Sequence, residues 1–168
     1  MKEVRLGVVG MGIGRPNALA VSRHARGRVV ALCDLEPERM DDFAKSLPEP
    51  VKQFTDYKKM CADPEIDAIF VGTPNQYHVP VALEAVRHDK HVLITKPLSD
   101  SLSAARKLVE AQEAAGVVGM MSLSTRYSNE AQYLGGRRVA GEFGELYYGR
   151  ARSVRRAGDG QRTCGRLP

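Results

Sequence analysis

A glycine-rich turn near the start of the chain is the first feature suited to binding a ligand. It reads Gly10-Met11-Gly12-Ile13-Gly14 and lies between an apolar run and a helical pattern. Glycines allow a tight turn and let backbone N–H groups approach a pyrophosphate. The amino end of the following helix attracts the same anion. The turn therefore predicts a nucleotide site to which Gly10, Met11, Gly12, Ile13 and Gly14 all contribute.

The spacing of the glycines leaves two classes of protein open. The dinucleotide fingerprint G-x-G-x-x-G would place its third glycine at position 15, where this chain has Arg15, and Gly14 gives G-x-G-x-G instead. That pattern occurs equally in methyltransferases that bind S-adenosylmethionine. Because a long side chain replaces the third glycine, we expect Arg15 to point outward from the packing of helix on strand.

A single acid follows the second apolar run and indicates which nucleotide would bind. Asp34 comes 24 residues after Gly10, where a carboxylate can accept hydrogen bonds from both hydroxyls of an adenosine ribose. The same carboxylate would repel a 2′-phosphate, so NAD is predicted rather than NADP. Arg39 could in principle reach a 2′-phosphate, but it lies several residues further along a predicted helix. Asp34 could also serve as the N-cap of that helix, and the two roles are compatible.

Two later runs carry polar side chains where strands are predicted to end. The first is Thr73-Pro74-Asn75-Gln76-Tyr77-His78, and the second is Ile94-Thr95-Lys96-Pro97. Open α/β sheets bind ligands at the carboxyl ends of their strands. A lysine held there beside a proline can contact a substrate hydroxyl or the nicotinamide ribose, so Lys96 is a candidate ligand-binding residue.

Apolar runs alternate with helical patterns over most of the chain, which predicts βαβ units in a doubly wound parallel sheet of the Rossmann type. In the helix from residue 100 to 115 we expect Leu102, Ala105, Leu108 and Val109 to face inward, with Ser99 or Asp100 as cap and Gly116 as stop. The predicted strands are 4–9, 29–33, 51–54, 66–71, 91–94 and 117–121. The predicted helices are 16–23, 36–47, 55–61 and 100–115, with a further helix whose apolar face is marked by Val79, Leu83 and Val86.

The alternation ends near Leu123, which predicts two parts. Residues 1–122 would form the nucleotide-binding domain and residues 123–168 an incomplete start of a second α/β domain. A helix is expected over 129–139 and a strand over 145–155, whose open edge could mediate self-association. From residue 157 the chain shows no periodic pattern and is expected to be irregular.

Taken together, these residues resemble the glucose-fructose oxidoreductase/inositol dehydrogenase-like (Gfo/Idh/MocA) family over residues 1 to about 150. The runs TPNQYH at 73–78 and HVLITKPLS at 91–99 carry the resemblance, with the glycine turn, Asp34 and TRY at 125–127. A methyltransferase has no reason to carry either run. The resemblance implies that Thr73, Pro74, Asn75 and His78 line the nicotinamide side. It also implies that Lys96, beside Pro97, binds ribose and substrate and assists proton transfer. The family's Glu-Lys-Pro is Thr95-Lys96-Pro97 here, so the lysine lacks its neighbouring carboxylate.

The resemblance implies hydride transfer between a nicotinamide and a hydroxyl-bearing carbon of a sugar or cyclitol. It also implies a second domain that supplies a histidine for proton exchange, whereas all four histidines of this chain lie in the first part. We therefore expect a truncated or frame-shifted fragment with little activity alone. A dinucleotide-binding module without catalysis is the alternative, and a methyltransferase a weaker one.

Composition bounds the remaining possibilities. Residues 149–168 hold six arginines and one acid, so the net charge of +5 comes from this end of the chain. Without an aromatic platform beyond two tyrosines, nucleic acid is an unlikely partner. The three cysteines are far apart, so no metal site is predicted. No apolar run has the ~20 residues that cross a bilayer, so a cytoplasmic location is expected.

Overall fold

The computed structural model describes residues 3–145 and Tyr148. Within these residues six strands alternate with five helices, and a sixth helix follows. The strands are β1 (Val4–Val9), β2 (Gly27–Cys33), β3 (Lys52–Phe54), β4 (Ala68–Val71), β5 (His91–Thr95) and β6 (Gly119–Ser122). The helices are α1 (Gly14–Ser22), α2 (Pro37–Ala44), α3 (Tyr57–Cys61), α4 (His78–Arg87), α5 (Leu102–Ala115) and α6 (Asn129–Val139).

The strands form one sheet in the order β3-β2-β1-β4-β5-β6, with every neighbouring pair parallel. This confirms the predicted doubly wound Rossmann-type sheet. The chain order reverses between β1 and β4, which is where such sheets bind ligands. The glycine turn follows β1, so the fold places it at that point.

The core is divided between the two faces of the sheet because neighbouring strand residues point to opposite faces. Val8 and Phe70 pack with α1 and α2 in one cluster. Val9 and Ile69 pack with α3, α4 and α5 in the other. Strands buried on both faces read as continuous apolar runs, which explains why the sequence pattern identified them.

Several element ends differ from the prediction. Helix α1 begins at Gly14 instead of residue 16, and α2 is shorter than 36–47. Helix α5 is capped by Ser101, not by Ser99 or Asp100. Ser101 is the last extended residue, and its hydroxyl accepts a hydrogen bond from the Ala104 N–H.

The predicted inward face of α5 is wrong at Leu102 and Val109, whereas Leu108 is buried and Ala105 partly buried. Leu102 is 71% exposed and Val109 42% exposed. The face that meets the core runs through Ala104, Leu108 and Ala111. At about 100° per residue, Leu102 lies roughly a third of a turn away from Leu108. Small alanines pack against the core on this face, and a pattern weighted toward large apolar residues misses them.

The described residues divide into two compact units, with the division after Ser124. In the second unit α6 spans Asn129–Val139, as predicted, and Ser128 caps it by accepting a hydrogen bond from the Ala131 N–H. The predicted strand 145–155, apart from Glu145 and Tyr148, and the irregular end from 157 lie outside the described residues.

Candidate functional site

Asp34 joins the ends of β1 and β2. Its Oδ2 accepts a hydrogen bond of 2.7 Å from the Met11 N–H, in the glycine turn. Its Oδ1 accepts one of 3.2 Å from the Glu36 N–H, so it supports the turn before α2 and is not the helix cap itself. A carboxylate has about four lone-pair sites, so Asp34 retains acceptor capacity for ribose hydroxyls.

Gly10 joins the ends of β1 and β4. Its backbone has φ +91°, a conformation that favours glycine. A Cβ at this position would lie 2.6 Å from the Gly72 carbonyl oxygen. Gly72 follows directly after β4, and nothing in the sequence pattern indicated its contact with Gly10. Two glycines, one after each strand, let the two turns cross in van der Waals contact.

The remaining glycines of the turn serve two different purposes. A Cβ on Gly12 would meet no atom within 4 Å, so the backbone there faces open space. A Cβ on Gly14 would lie 2.8 Å from Val8 Cγ1, so Gly14 provides the close packing of helix on strand. In this chain the third glycine of the fingerprint is therefore replaced by the glycine one position earlier. Met11 is buried and Ile13 half exposed.

The Arg15 side chain points away from the packing of helix on strand, as expected, and lies partly buried along α2. Its Nη2 donates to the Arg39 carbonyl oxygen at 2.9 Å, and its guanidinium lies 5.7 Å from the centre of the Phe43 ring. The Asp42 Oδ2 lies 3.7 Å from the Arg15 Nη1. The long side chain is accommodated because it turns along α2, away from the strand that Gly14 contacts.

The turn after β4 exposes some of its predicted ligand residues and buries others. Pro74 and Asn75 are exposed. The Thr73 hydroxyl is buried and has no hydrogen-bond partner among the described residues. His78 is fully buried, with Nδ1 2.6 Å from the Pro97 carbonyl oxygen and Nε2 2.9 Å from that of Thr73. The His78 ring therefore joins the ends of β4 and β5.

The turn after β5 presents Lys96. Lys96 and Pro97 are both exposed, and the peptide bond between them is cis. Within residues 3–145 no hydrogen bond or ion pair engages the Lys96 ammonium group. It is thus available to a ligand at this edge of the sheet.

The residues at this edge fit a dinucleotide. Open space above Gly12 allows close approach of a pyrophosphate to the backbone, and α1 begins there without a side-chain cap. Asp34 offers a carboxylate at the end of β2. The Thr73 hydroxyl is a buried polar group without a partner, which is costly unless a ligand supplies one.

Other chemistries find little support in the part of the chain that the structure describes. Cys33 and Cys61 are free and buried, and burial raises the pKa of each thiol to about 12, so neither is a nucleophilic thiolate. No group of three or more potential metal ligands occurs among the described residues. None of the described helices combines the length and apolar character needed to cross a membrane.

Fold and site together define a Rossmann domain with a dinucleotide-type turn at its switch point. A family model described as "Oxidoreductase family, NAD-binding Rossmann fold" matches residues 4–123. The chain belongs to this Gfo/Idh/MocA family. That decides between the two interpretations of G-x-G-x-G in favour of the NAD-binding family.

Similar proteins carry several activities. The chain is 33% identical over 122 residues to glycosyl hydrolase family 109 protein 1 of Bacteroides thetaiotaomicron, covering 67% of this chain and 26% of that protein. It is 36% identical over 115 residues to 1,5-anhydro-D-fructose reductase of Ensifer adhaerens, covering 68% and 34%.

A solved structure shares the fold. Scyllo-inositol dehydrogenase from Lactobacillus casei, with bound NAD(H) and scyllo-inositol, superposes with a TM-score of 0.80 at 22% identity, covering 86% of this chain and 43% of that one. The chain thus spans between about a quarter and less than half of the length of these proteins.

Proposed function

We propose that this chain binds NAD across the carboxyl ends of β2, β1, β4 and β5, and that it serves hydride transfer at a hydroxyl-bearing carbon of a sugar or cyclitol. One observation carries the proposal. A continuous series of contacts links these four strand ends: Asp34 with Met11, Gly10 with Gly72, and His78 with the carbonyls of Thr73 and Pro97.

The predicted preference for NAD over NADP is supported by the charges beside the ribose position. The Asp34 carboxylate would repel a 2′-phosphate. The nearby cations are already engaged, because Arg39 pairs with Glu36 at 2.8 Å and Arg15 donates to the Arg39 carbonyl. Neither arginine is available to neutralise a second phosphate without losing its present partner.

The proposed chemistry divides between cofactor and protein. When bound, NAD supplies the hydride acceptor, and the protein orients it and moves one proton. Thr73 would donate or accept a hydrogen bond on the nicotinamide side, with Pro74 and Asn75 beside it. The Lys96 ammonium group would donate a hydrogen bond to the substrate hydroxyl oxygen and stabilise the negative charge that develops there as the hydroxyl proton passes to water. Threonine at position 95 leaves that lysine without an adjacent carboxylate.

Binding and turnover are separable parts of this proposal. Because the chain spans less than half of its relatives' length, we expect it to bind NAD and to turn over slowly alone. Loss of one general acid–base group costs about 10²–10⁴-fold in rate. A binding-only module is the alternative.

A titration with NADH, followed by fluorescence, tests the binding site. We expect saturable binding that Asp34→Ala weakens by about tenfold or more, since a hydrogen bond to a charged group contributes about 1.5–3 kcal/mol. Glu36→Ala is the matched control, an exposed carboxylate two residues away, and should change the dissociation constant less than about twofold. NADPH and S-adenosylmethionine serve as competitors and should displace NADH poorly. Absence of NADH binding, or equal effects of the two variants, would contradict the proposal.

The likeness to a glycosyl hydrolase favours a second candidate, hydrolysis of a glycosidic bond. The two reactions differ in their products. Oxidation of a sugar or cyclitol accumulates NADH, which is measured by an absorbance band that NAD lacks. Hydrolysis of a nitrophenyl glycoside instead releases nitrophenol and forms no net NADH. Measuring both products with the purified chain, and with Lys96→Ala, separates oxidation, hydrolysis and binding alone.

A further inference from the structure

The His78 ring lies between two loops, with each ring nitrogen within hydrogen-bond distance of a carbonyl oxygen, and it touches no solvent. The ring is fully buried at the first residue of α4. Its Nε2 faces the Thr73 carbonyl in the loop after β4, and its Nδ1 faces the Pro97 carbonyl in the loop after β5. These are the two loops that carry the predicted nicotinamide-side residues, and each contributes one carbonyl oxygen to the same ring.

We infer that His78 is a positioning residue that holds these two loops in register and so sets the affinity for the dinucleotide. The inference rests on the proposed function and deepens it. With no exposed surface and both ring nitrogens facing protein carbonyls, His78 acts on a ligand through Thr73 and through Lys96, which precedes Pro97. The residue that resemblance placed against the cofactor thus works from behind the cofactor site.

The two hydrogen bonds can be separated chemically. Carbonyl oxygens only accept, so each bond needs an N–H on the ring: a neutral imidazole donates to one carbonyl, and an imidazolium to both. An asparagine amide nitrogen can replace Nδ1, which faces Pro97. A glutamine amide nitrogen can replace Nε2, which faces Thr73. Leucine keeps much of the volume and removes both donors.

A matched control lies on the same helix. Val86 is buried near the opposite end of α4, away from both loops. Val86→Ala removes core contacts without touching Thr73 or Pro97. Any effect that His78→Leu shares with it therefore reports general destabilisation, and any effect specific to His78→Leu reports the loops.

The experiment combines amide hydrogen exchange with NADH titration, at a temperature where every variant is folded by circular dichroism. We expect His78→Leu to speed exchange in residues 73–77 and 96–99 beyond Val86→Ala, and to raise the NADH dissociation constant about tenfold. Val86→Ala should change that constant less than about twofold. His78→Asn and His78→Gln should restore part of the affinity, each slowing exchange in the loop whose carbonyl it still bonds.

The outcomes separate the two ideas. If the unaltered chain binds NADH and His78→Leu binds equally well, or only as weakly as Val86→Ala, the positioning role is wrong while the proposed function stands. If the unaltered chain does not bind NADH, the proposed function fails. Amide hydrogen exchange then tests the positioning role of His78 by itself. Faster exchange of His78→Leu confined to the two loops supports that role, and unchanged exchange in the loops overturns it.

Discussion

Two regions of the sheet differ in how tightly they are packed. We call the ends of β1, β2 and β4 with their turns the turn edge, and α5 with β6 the β6 flank. All four residues of β4 are buried, whereas no residue of β6 is. At the turn edge Gly10 has no room for a methyl group, while on the β6 flank Met120 is 47% exposed.

The difference lies in what fixes each region. Backbone meets backbone at the turn edge, so a single atom decides whether the turns can cross. On the β6 flank Leu108, Ala104 and Ala111 pack against the core, whereas the larger apolar residues Leu102, Val109 and Met120 remain exposed. The close backbone contact at the turn edge requires a glycine, which is visible in the sequence. The exposure of apolar side chains on the β6 flank cannot be recognised from residue types alone.

Gly10→Ala should give the largest effect and tests the turn edge. A left-handed backbone and an overlap with the Gly72 carbonyl each cost about 1–3 kcal/mol, so we expect a loss of about 4 kcal/mol in the free energy of unfolding, measured with urea. Gly12→Ala, whose Cβ enters open space, should change stability by less than about 1 kcal/mol. Equal stability of the two variants would show that the turns do not meet as described.

Leu108→Ala tests the β6 flank. Leu108 is 3% exposed, and its truncation to alanine should lower the free energy of unfolding by about 2–5 kcal/mol. Leu102, on the same helix, is 71% exposed, and Leu102→Ala should lower the free energy of unfolding by less than about 0.5 kcal/mol. Urea unfolding of the two variants measures both. If Leu102→Ala proved as costly as Leu108→Ala, the flank would be covered in solution and the contrast between the two regions would disappear.

Sequence could predict the sheet and the neighbourhood of the site, because both depend on local rules. Buried parallel strands leave continuous apolar runs, and a turn between strand and helix leaves glycines. The direction of a side chain depends on neighbours that are distant in sequence. Nothing near His78 indicates that its ring reaches Pro97, nineteen residues away. The roles of these residues toward a ligand stay predictions.

Arg15→Ala should give the smallest effect and tests how far the close packing of the turn edge extends along α1. The variant loses the hydrogen bond to the Arg39 carbonyl and the contact with the Phe43 ring, and each such contact contributes a net of about 0.5–1.5 kcal/mol, at the lower end for a partly exposed side chain. The Asp42 carboxylate is 73% exposed and adds little. We therefore expect a loss of about 1 kcal/mol. Arg39→Ala is the control, because it removes only an exposed pair with Glu36 and should cost less than about 0.5 kcal/mol. If the two variants were equally stable, Arg15 would be a solvated side chain, as its sequence position suggests, and the close packing would end at Gly14.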